Sequence, residues 1–237
     1  MVCRCVSEAF DNMFPKLRRR MTEREVCRIF ELECFTRGVD KMPRITAVSG
    51  RGGYTRPYGV PADKVLSEGD LLFIDAGCLF NLYWSDFNRH FAFGAPGPHT
   101  QDAYQVVWNG MEAGIAAVKP GRPICDIRTA MSDVLNSPEN RGKASTIGRM
   151  GHSMGLWMPE LPSVHPKDRT ILKRMIVNIE PSTTYPSYFD GSPKLMVHED
   201  VVVVIEDGAQ LLKSVLLERY RSSFERALAP EYDILKR

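Results

Sequence analysis

The chain has 237 residues, of which 43% are hydrophobic and 25% are charged, and its formal net charge at pH 7 is +2. Such a composition is typical of a globular protein with a sizeable core, and the balance of charge gives no electrostatic argument for nucleic acid or a membrane as a partner. No apolar run reaches the roughly 18 residues needed to span a bilayer. Six cysteines without paired spacing predict reduced thiols in a cytoplasmic protein.

Hydrophobic spacing along the chain predicts a mixture of helices and short strands. Thr22 and Glu25 match the capping-box pattern that begins a helix. In chain order we predict helices at 2–14 and 22–37, a loop at 49–53, strands at 71–76 and 83–93 joined as a hairpin, helices at 101–118 and 124–135, a polar loop at 136–148, and short apolar segments at 151–158, 175–179 and 201–205.

A faint internal repeat relates residues 17–26 to residues 118–127. Both segments follow one amphipathic helix and precede another. Taken alone, the repeat is explained most simply by chance similarity between two helix–turn–helix units.

Two aspartates lie in neighbouring predicted strands. Asp75 ends the apolar run that contains Phe73 and Ile74, and Asp86 lies in the partner strand. A carboxylate buried among apolar side chains is destabilising unless its charge is compensated, and two carboxylates that face each other repel. A cation between them would satisfy both, whereas a salt bridge with Arg89 is the alternative interpretation.

Three further groups of metal-binding type lie in or beside the later apolar segments. His152 lies between glycines, Glu180 ends a predicted strand before a proline, and Glu199 precedes the most β-branched strand. Each alone is more typical of a core histidine or a solvated acid. Together with Asp75 and Asp86 they indicate an oxygen-rich cage for two divalent cations, of a kind that suits Mn²⁺, Fe²⁺, Co²⁺ or Zn²⁺.

The order of these motifs resembles the creatinase, prolidase and methionine aminopeptidase family. The resemblance rests on Asp, ten residues, Asp, then Gly-His-x-x-Gly-Leu, Ile-Glu-Pro and His-Glu-Asp, and it runs over residues 5–213. It implies an α+β pita-bread fold with two pseudo-symmetric αβ halves and a curved antiparallel sheet, which would explain the repeat. It also implies that residues 1–237 form a single catalytic domain without the N-terminal creatinase-type domain of larger members.

By the same resemblance, Asp75, Asp86, His152, Glu180 and Glu199 are the ligands of two divalent metal ions. Glu180 is also similar to the family's proton-shuttling carboxylate. A bridging hydroxide would attack a substrate carbonyl. The implied activity is hydrolysis of a small peptide of Xaa-Pro type or of another small molecule, and the resemblance leaves a homodimer open.

Two histidines that peptidase members carry beside the metals are missing, and their positions hold Tyr58 and Pro159. The arginine often found two residues before the last ligand is Val197. Tyr58 either supplies a catalytic hydroxyl or only fills the space of the histidine. We expect Trp157, Pro159 and His198 to line the substrate pocket, although alternation along a strand points the side chain of His198 away from that of its metal-binding neighbour.

Three kinds of function remain open on this pattern. The first is a dipeptidase or aminopeptidase of Xaa-Pro type. The second is a family member with other chemistry, such as a creatinase, a hydrolase of ectoine derivatives or a dimethylsulfoniopropionate lyase, which the missing histidines favour. The third is a binding module, which is disfavoured because all five predicted ligands are present.

Overall fold

The computed structural model describes residues 1–18, 20–140 and 148–212. The helices are α1 (Val2–Met13), α2 (Glu23–Thr36), α3 (Pro98–Ala117) and α4 (Cys125–Leu135), with 3₁₀ turns at Phe14–Lys16 and Pro138–Asn140. The strands are β1 (Lys41–Arg51), β2 (Asp70–Phe80), β3 (Tyr83–Phe93), β4 (Gly151–Ser153), β5 (Glu160–Ser163), β6 (Ile176–Ile179), β7 (Ser182–Pro186), β8 (Pro193–Val197), β9 (Asp200–Ile205) and β10 (Gly208–Leu211). In the ranges described, none of the helices has the length and apolar character to cross a membrane.

The first half of the chain packs two helices against an antiparallel sheet of order β1-β2-β3. The predicted capping box is confirmed: the Glu25 backbone N–H donates to Thr22 Oγ1 over 3.2 Å, and the Thr22 N–H donates to the Glu25 carboxylate over 2.8 Å. The predicted hairpin is also confirmed, because β2 and β3 pair from Asp70 opposite Phe93 to Phe80 opposite Tyr83.

Strand β1 is the main difference from the predicted elements. The loop predicted at 49–53 is wrong for residues 49–51, which pair with β2 up to Arg51 opposite Asp70. The half-exposed residues of β1 show no apolar run, so the strand forms through hydrogen bonds to its neighbour rather than through its own hydrophobic pattern. The chain leaves the sheet only at Gly52, where φ is +69°.

The second half repeats the arrangement of two helices followed by antiparallel strands. Its larger sheet has the order β10-β9-β6-β4-β5, and β7 and β8 form a separate ribbon. The apolar segment predicted at 151–158 continues as a strand only to Ser153, because the chain then turns and the Trp157 N–H donates to the Glu160 carboxylate over 2.7 Å. The loop predicted at 136–148 lies partly, and the tail after Leu212 wholly, outside the described residues.

The two sheets meet where β3 approaches the start of β9. Asn88 forms a β-bridge with Glu199 at this point. On the neighbouring positions, Arg89 donates through Nη2 to Asp200 Oδ1 over 2.9 Å, and both side chains are buried. Polar groups from distant parts of the chain therefore meet at the contact between the sheets, and each of the two hydrophobic clusters also contains residues from both halves.

Strand β4 requires glycine at its first residue. Gly151 has φ +130°, and a Cβ at this position would lie 2.0 Å from the carbonyl oxygen of Asn178 on β6. We predict that Gly151→Ala lowers the free energy of unfolding by about 2 kcal/mol or more, because backbone strain is added to a displacement of β4. Urea denaturation measures the change.

Gly121→Ala is the matched control for this substitution. Gly121 has φ +81° and no atom within 4 Å of the position of a Cβ, so only conformational strain of about 1 kcal/mol is expected. Equal losses in the two variants would contradict the close approach of β4 to β6.

Candidate metal centre

Asp75 and Asp86 lie on one face of the β2–β3 hairpin. In the register, Asp75 is opposite Asn88 and Asp86 is opposite Gly77. Opposed residues share a face, and residues two apart along a strand share it as well. The two carboxylates are therefore diagonal neighbours rather than directly opposed, and both are buried.

The second sheet brings an imidazole and a further carboxylate to the same place. His152 on β4 pairs with Asn178 on β6, and Glu199 reaches β3 through its bridge with Asn88. One ligand atom from each of Asp86, His152 and Glu199 lies within 4.8 Å of the others, and the three residues are 1%, 3% and 2% exposed. Strand segments far apart in the chain thus converge on one small buried volume.

The hydrogen bonds of His152 leave one ring nitrogen available as a ligand. Nδ1 lies 2.9 Å from the carbonyl oxygen of Ser153, which can only accept, so Nδ1 carries the proton. Nε2 then presents its lone pair 3.5 Å from Oδ2 of Asp86. A backbone carbonyl that fixes the tautomer in this way is typical of metal-binding histidines.

Two asparagine amides orient the carboxylate of Glu199. Asn178 Nδ2 donates to Oε1 over 2.7 Å, and Asn88 Nδ2 donates to Oε2 over 3.2 Å. Asn88 belongs to β3 of the first sheet and Asn178 to β6 of the second, so both sheets hold the carboxylate in place. Sequence analysis missed both residues, although each lies two positions from a predicted ligand, which alternation along a strand places on the same face.

The electrostatics of the site favour bound cations. Burial raises the pKa of Glu199, Asp75 and Glu180, and the negative charge of Asp86 raises all three further. Buried carboxylates this close together remain ionised only when positive charge is brought among them. Among the described residues, Oδ1 of Asp75 and Oδ1 of Asp86 have no hydrogen-bond partner. Orphaned carboxylate oxygens beside a free imidazole nitrogen fit a divalent metal ion.

Arg44 is the basic residue that sequence analysis missed at this site. Its Nη2 donates to Oδ2 of Asp75, and its Nη1 lies 3.5 Å from Oδ2 of Asp86. Sequence analysis could not place Arg44 at the site, because its position depends on the pairing of β1 with β2 and β1 was not predicted as a strand. The salt bridge considered between the aspartates and Arg89 is not formed, since Arg89 lies on the other face and pairs with Asp200.

Apart from His198, the remaining predicted site residues are half-buried or exposed. Glu180 follows β6, is half-buried, and lies in the electrostatic field of Asp86 and His152. Tyr58 is 65% exposed and Trp157 is 74% exposed, and Pro159 is also exposed. Their roles in catalysis or in a substrate pocket stay predictions.

His198 lies beside two aromatic side chains. It is buried, its ring lies 5.2 Å from that of Trp108 and 5.9 Å from that of Tyr104, and Nε2 is 3.6 Å from Asp200. Alternation along the chain directs this side chain away from the face of Glu199, and the part of His198 in a substrate pocket stays a prediction.

The chain is similar to known proteins in sequence and in fold. A sequence model described as metallopeptidase family M24 matches residues 1–207. A Xaa-Pro dipeptidase of Pyrococcus furiosus is 28% identical over 211 residues, which cover 89% of this chain and 59% of that protein. Among solved structures, a prolidase from Pyrococcus furiosus gives a TM-score of 0.77 at 27% identity and covers 89% of this chain and 61% of that one.

The structural likeness extends to methionine aminopeptidase from Rickettsia prowazekii, with a TM-score of 0.74 over 89% of this chain and 93% of that one. At 20% identity this likeness concerns the fold alone. The predicted α+β pita-bread fold is confirmed by these neighbours. The chain spans about three fifths of the length of the Pyrococcus dipeptidase.

The raised pKa of Glu199 predicts how pH acts on the metal-free protein. Because the folded state holds this proton more tightly than the unfolded state, the stabilisation is present below the ordinary value of 4.5 and is lost as pH rises. We expect Glu199→Gln to gain stability relative to the unsubstituted protein as pH rises from about 5 to 8 in chelator. Thermal melting across this range measures the difference.

Glu206→Gln is the control, since Glu206 is exposed in the turn between β9 and β10. Its melting temperature should follow that of the unsubstituted protein at every pH. A difference between Glu199→Gln and the unsubstituted protein that shrinks with rising pH would contradict the buried environment described for this carboxylate.

Proposed function

Because the chain belongs to metallopeptidase family M24, we propose that it is a hydrolase that uses two divalent metal ions to cleave small peptides of Xaa-Pro type. The similarity to the Xaa-Pro dipeptidase of Pyrococcus furiosus supports this substrate class. Six cysteines without a disulfide are compatible with the reducing cytoplasm, where we propose that it acts.

The observation that carries the proposal is the convergence of Asp86, His152 and Glu199, with their ligand atoms within 4.8 Å of one another. Asp75 shares the face of Asp86, and Glu180 lies within their common electrostatic field. We assign these five residues as the ligands. Mn²⁺, Fe²⁺, Co²⁺ and Zn²⁺ all suit a set of four carboxylates and one imidazole.

When bound, the cations would lower the pKa of a water molecule and polarise the scissile carbonyl. Glu180 is suited to moving the proton of that water, because it is the one half-buried carboxylate of the set and burial raises its pKa. The other four ligands are buried and held by strand pairing, so their part is to position the reaction.

The substrate would approach from the side of the loop after β4. A Cβ at Gly77 would lie 2.8 Å from the side chain of Met158, so this loop lies against the face that carries both aspartates. Trp157 and Pro159, which flank Met158, are exposed there. We propose that they contact the substrate, and that Tyr58 contributes a hydroxyl from the segment between β1 and β2.

A second candidate is a hydrolase or lyase of a small non-peptide compound in the same metal centre. It is favoured by Tyr58 and Pro159, two exposed residues that occupy the positions of the two peptidase histidines. These side chains provide no imidazole to bind a peptide or to stabilise a tetrahedral intermediate.

The decisive experiment measures release of free amino acid from a panel of Xaa-Pro dipeptides with added Mn²⁺. We expect turnover in the metal-loaded protein and a loss of kcat/KM on the order of a thousandfold or more in Asp86→Asn, because several kcal/mol of metal-dependent stabilisation disappears. Asp207→Asn, in an exposed turn, is the control that should retain full activity.

Full activity of Asp86→Asn would overturn the assignment of the centre. No release from any dipeptide, together with turnover of a small amidine, lactam or sulfonium compound, would replace the peptidase by the second candidate. Circular dichroism of the variant separates loss of a ligand from loss of the fold.

A further inference from the structure

Arg44 lies in a row of three residues that crosses the site. On β1 it is opposite Gly77 of β2, and Gly77 is opposite Asp86 of β3. The three positions share one face of the sheet. From this position on β1 the guanidinium of Arg44 reaches Asp75 of β2 and Asp86 of β3.

The guanidinium divides the carboxylates into two groups. It pairs with Oδ2 of Asp75 and lies 3.5 Å from Oδ2 of Asp86 through its other nitrogen. The ligand atoms that converge within 4.8 Å belong to Asp86, His152 and Glu199, and Asp75 is outside this group. One side of the centre therefore has three converging groups that could hold a metal ion, and the other has a carboxylate paired with an arginine.

We propose that Arg44 competes with one of the two metal ions for Asp75 and Asp86 and thereby weakens the binding of that ion. This inference rests on the dinuclear centre of the proposed function. The first ion binds at Asp86, His152 and Glu199 with Arg44 in place. The second ion takes Asp75 and shares Asp86, and it binds only when the guanidinium leaves these carboxylates.

The physical reason is that an arginine cannot give up its charge. The guanidinium stays protonated at any accessible pH, so it repels a divalent ion at the same carboxylate instead of titrating away. The side chain of Arg44 is 34% exposed, whereas those of Asp75 and Asp86 are 4% and 1% exposed. The arginine has a route to solvent, and the carboxylates do not.

Calorimetric titration of chelator-treated protein with Mn²⁺ tests the inference without using activity. We expect two steps in the unsubstituted protein, one equivalent bound tightly and a second bound weakly. In Arg44→Met the second dissociation constant should fall by about tenfold or more, a coupling of ordinary size between two sites, while the first changes little. Arg44→Lys keeps a charge and should keep the second step weak.

Arg51→Met is the matched control. Arg51 is an exposed arginine at the other end of β1, and its guanidinium lies over the ring of Phe189, 4.4 Å from the centroid. Its two dissociation constants should equal those of the unsubstituted protein. Two equal tight steps in the unsubstituted protein, or an unchanged second step in Arg44→Met, would overturn the inference.

These outcomes separate the inference from the proposed function. If Arg44→Met gains the second ion and no variant cleaves a dipeptide, the competition stands and the peptidase proposal fails. If the unsubstituted protein binds both ions equally and cleaves dipeptides, the peptidase proposal stands and the competition by Arg44 is refuted. Thermal melting of Arg44→Met confirms that the titrated protein is folded, and the two-step titration of the unsubstituted protein requires no variant.

Discussion

Negative charge buried at the junction of two sheets is the constraint on which the rest of the structure depends. Asp75 and Asp86 come from the first sheet, Glu199 directly precedes β9 of the second, and all three are less than 4% exposed. Carboxylates in such a place are destabilising without compensation. This one cluster is positioned by the strand register and is contacted by asparagine amides, an arginine and a histidine with a fixed tautomer. The fold and the site therefore depend on the same buried charges.

Much of the fold was predictable because the strands that carry the aspartates are apolar and continuous. The hairpin from Asp70 to Phe93 and the capping box at Thr22 follow from local patterns, and local patterns are what a sequence shows most directly. Strand β1 was missed because its residues alternate only weakly between exposed and buried. Its formation depends on hydrogen bonds to β2, which are not visible in its own composition.

The candidate site was predictable in residue type but not in arrangement. The order of the acids and His152 is similar to a family pattern, and that similarity supplied the grouping, because no spacing rule relates Asp86 to Glu199 over more than a hundred residues. Asn178 and Arg44 were not found for two different reasons. The first follows from alternation in a strand that was predicted, whereas the second depends on the register of a strand that was not.

The ion pair of Arg89 with Asp200 has a consequence for how the molecule can move. This pair connects the two sheets on the face opposite to the predicted metal ligands. Arg89 also donates to the backbone carbonyls of Asn88 and Glu199. Swinging one half away from the other would break this buried ion pair and the hydrogen bond to Glu199, which opposes such a movement. A hinge between the halves is thereby suppressed.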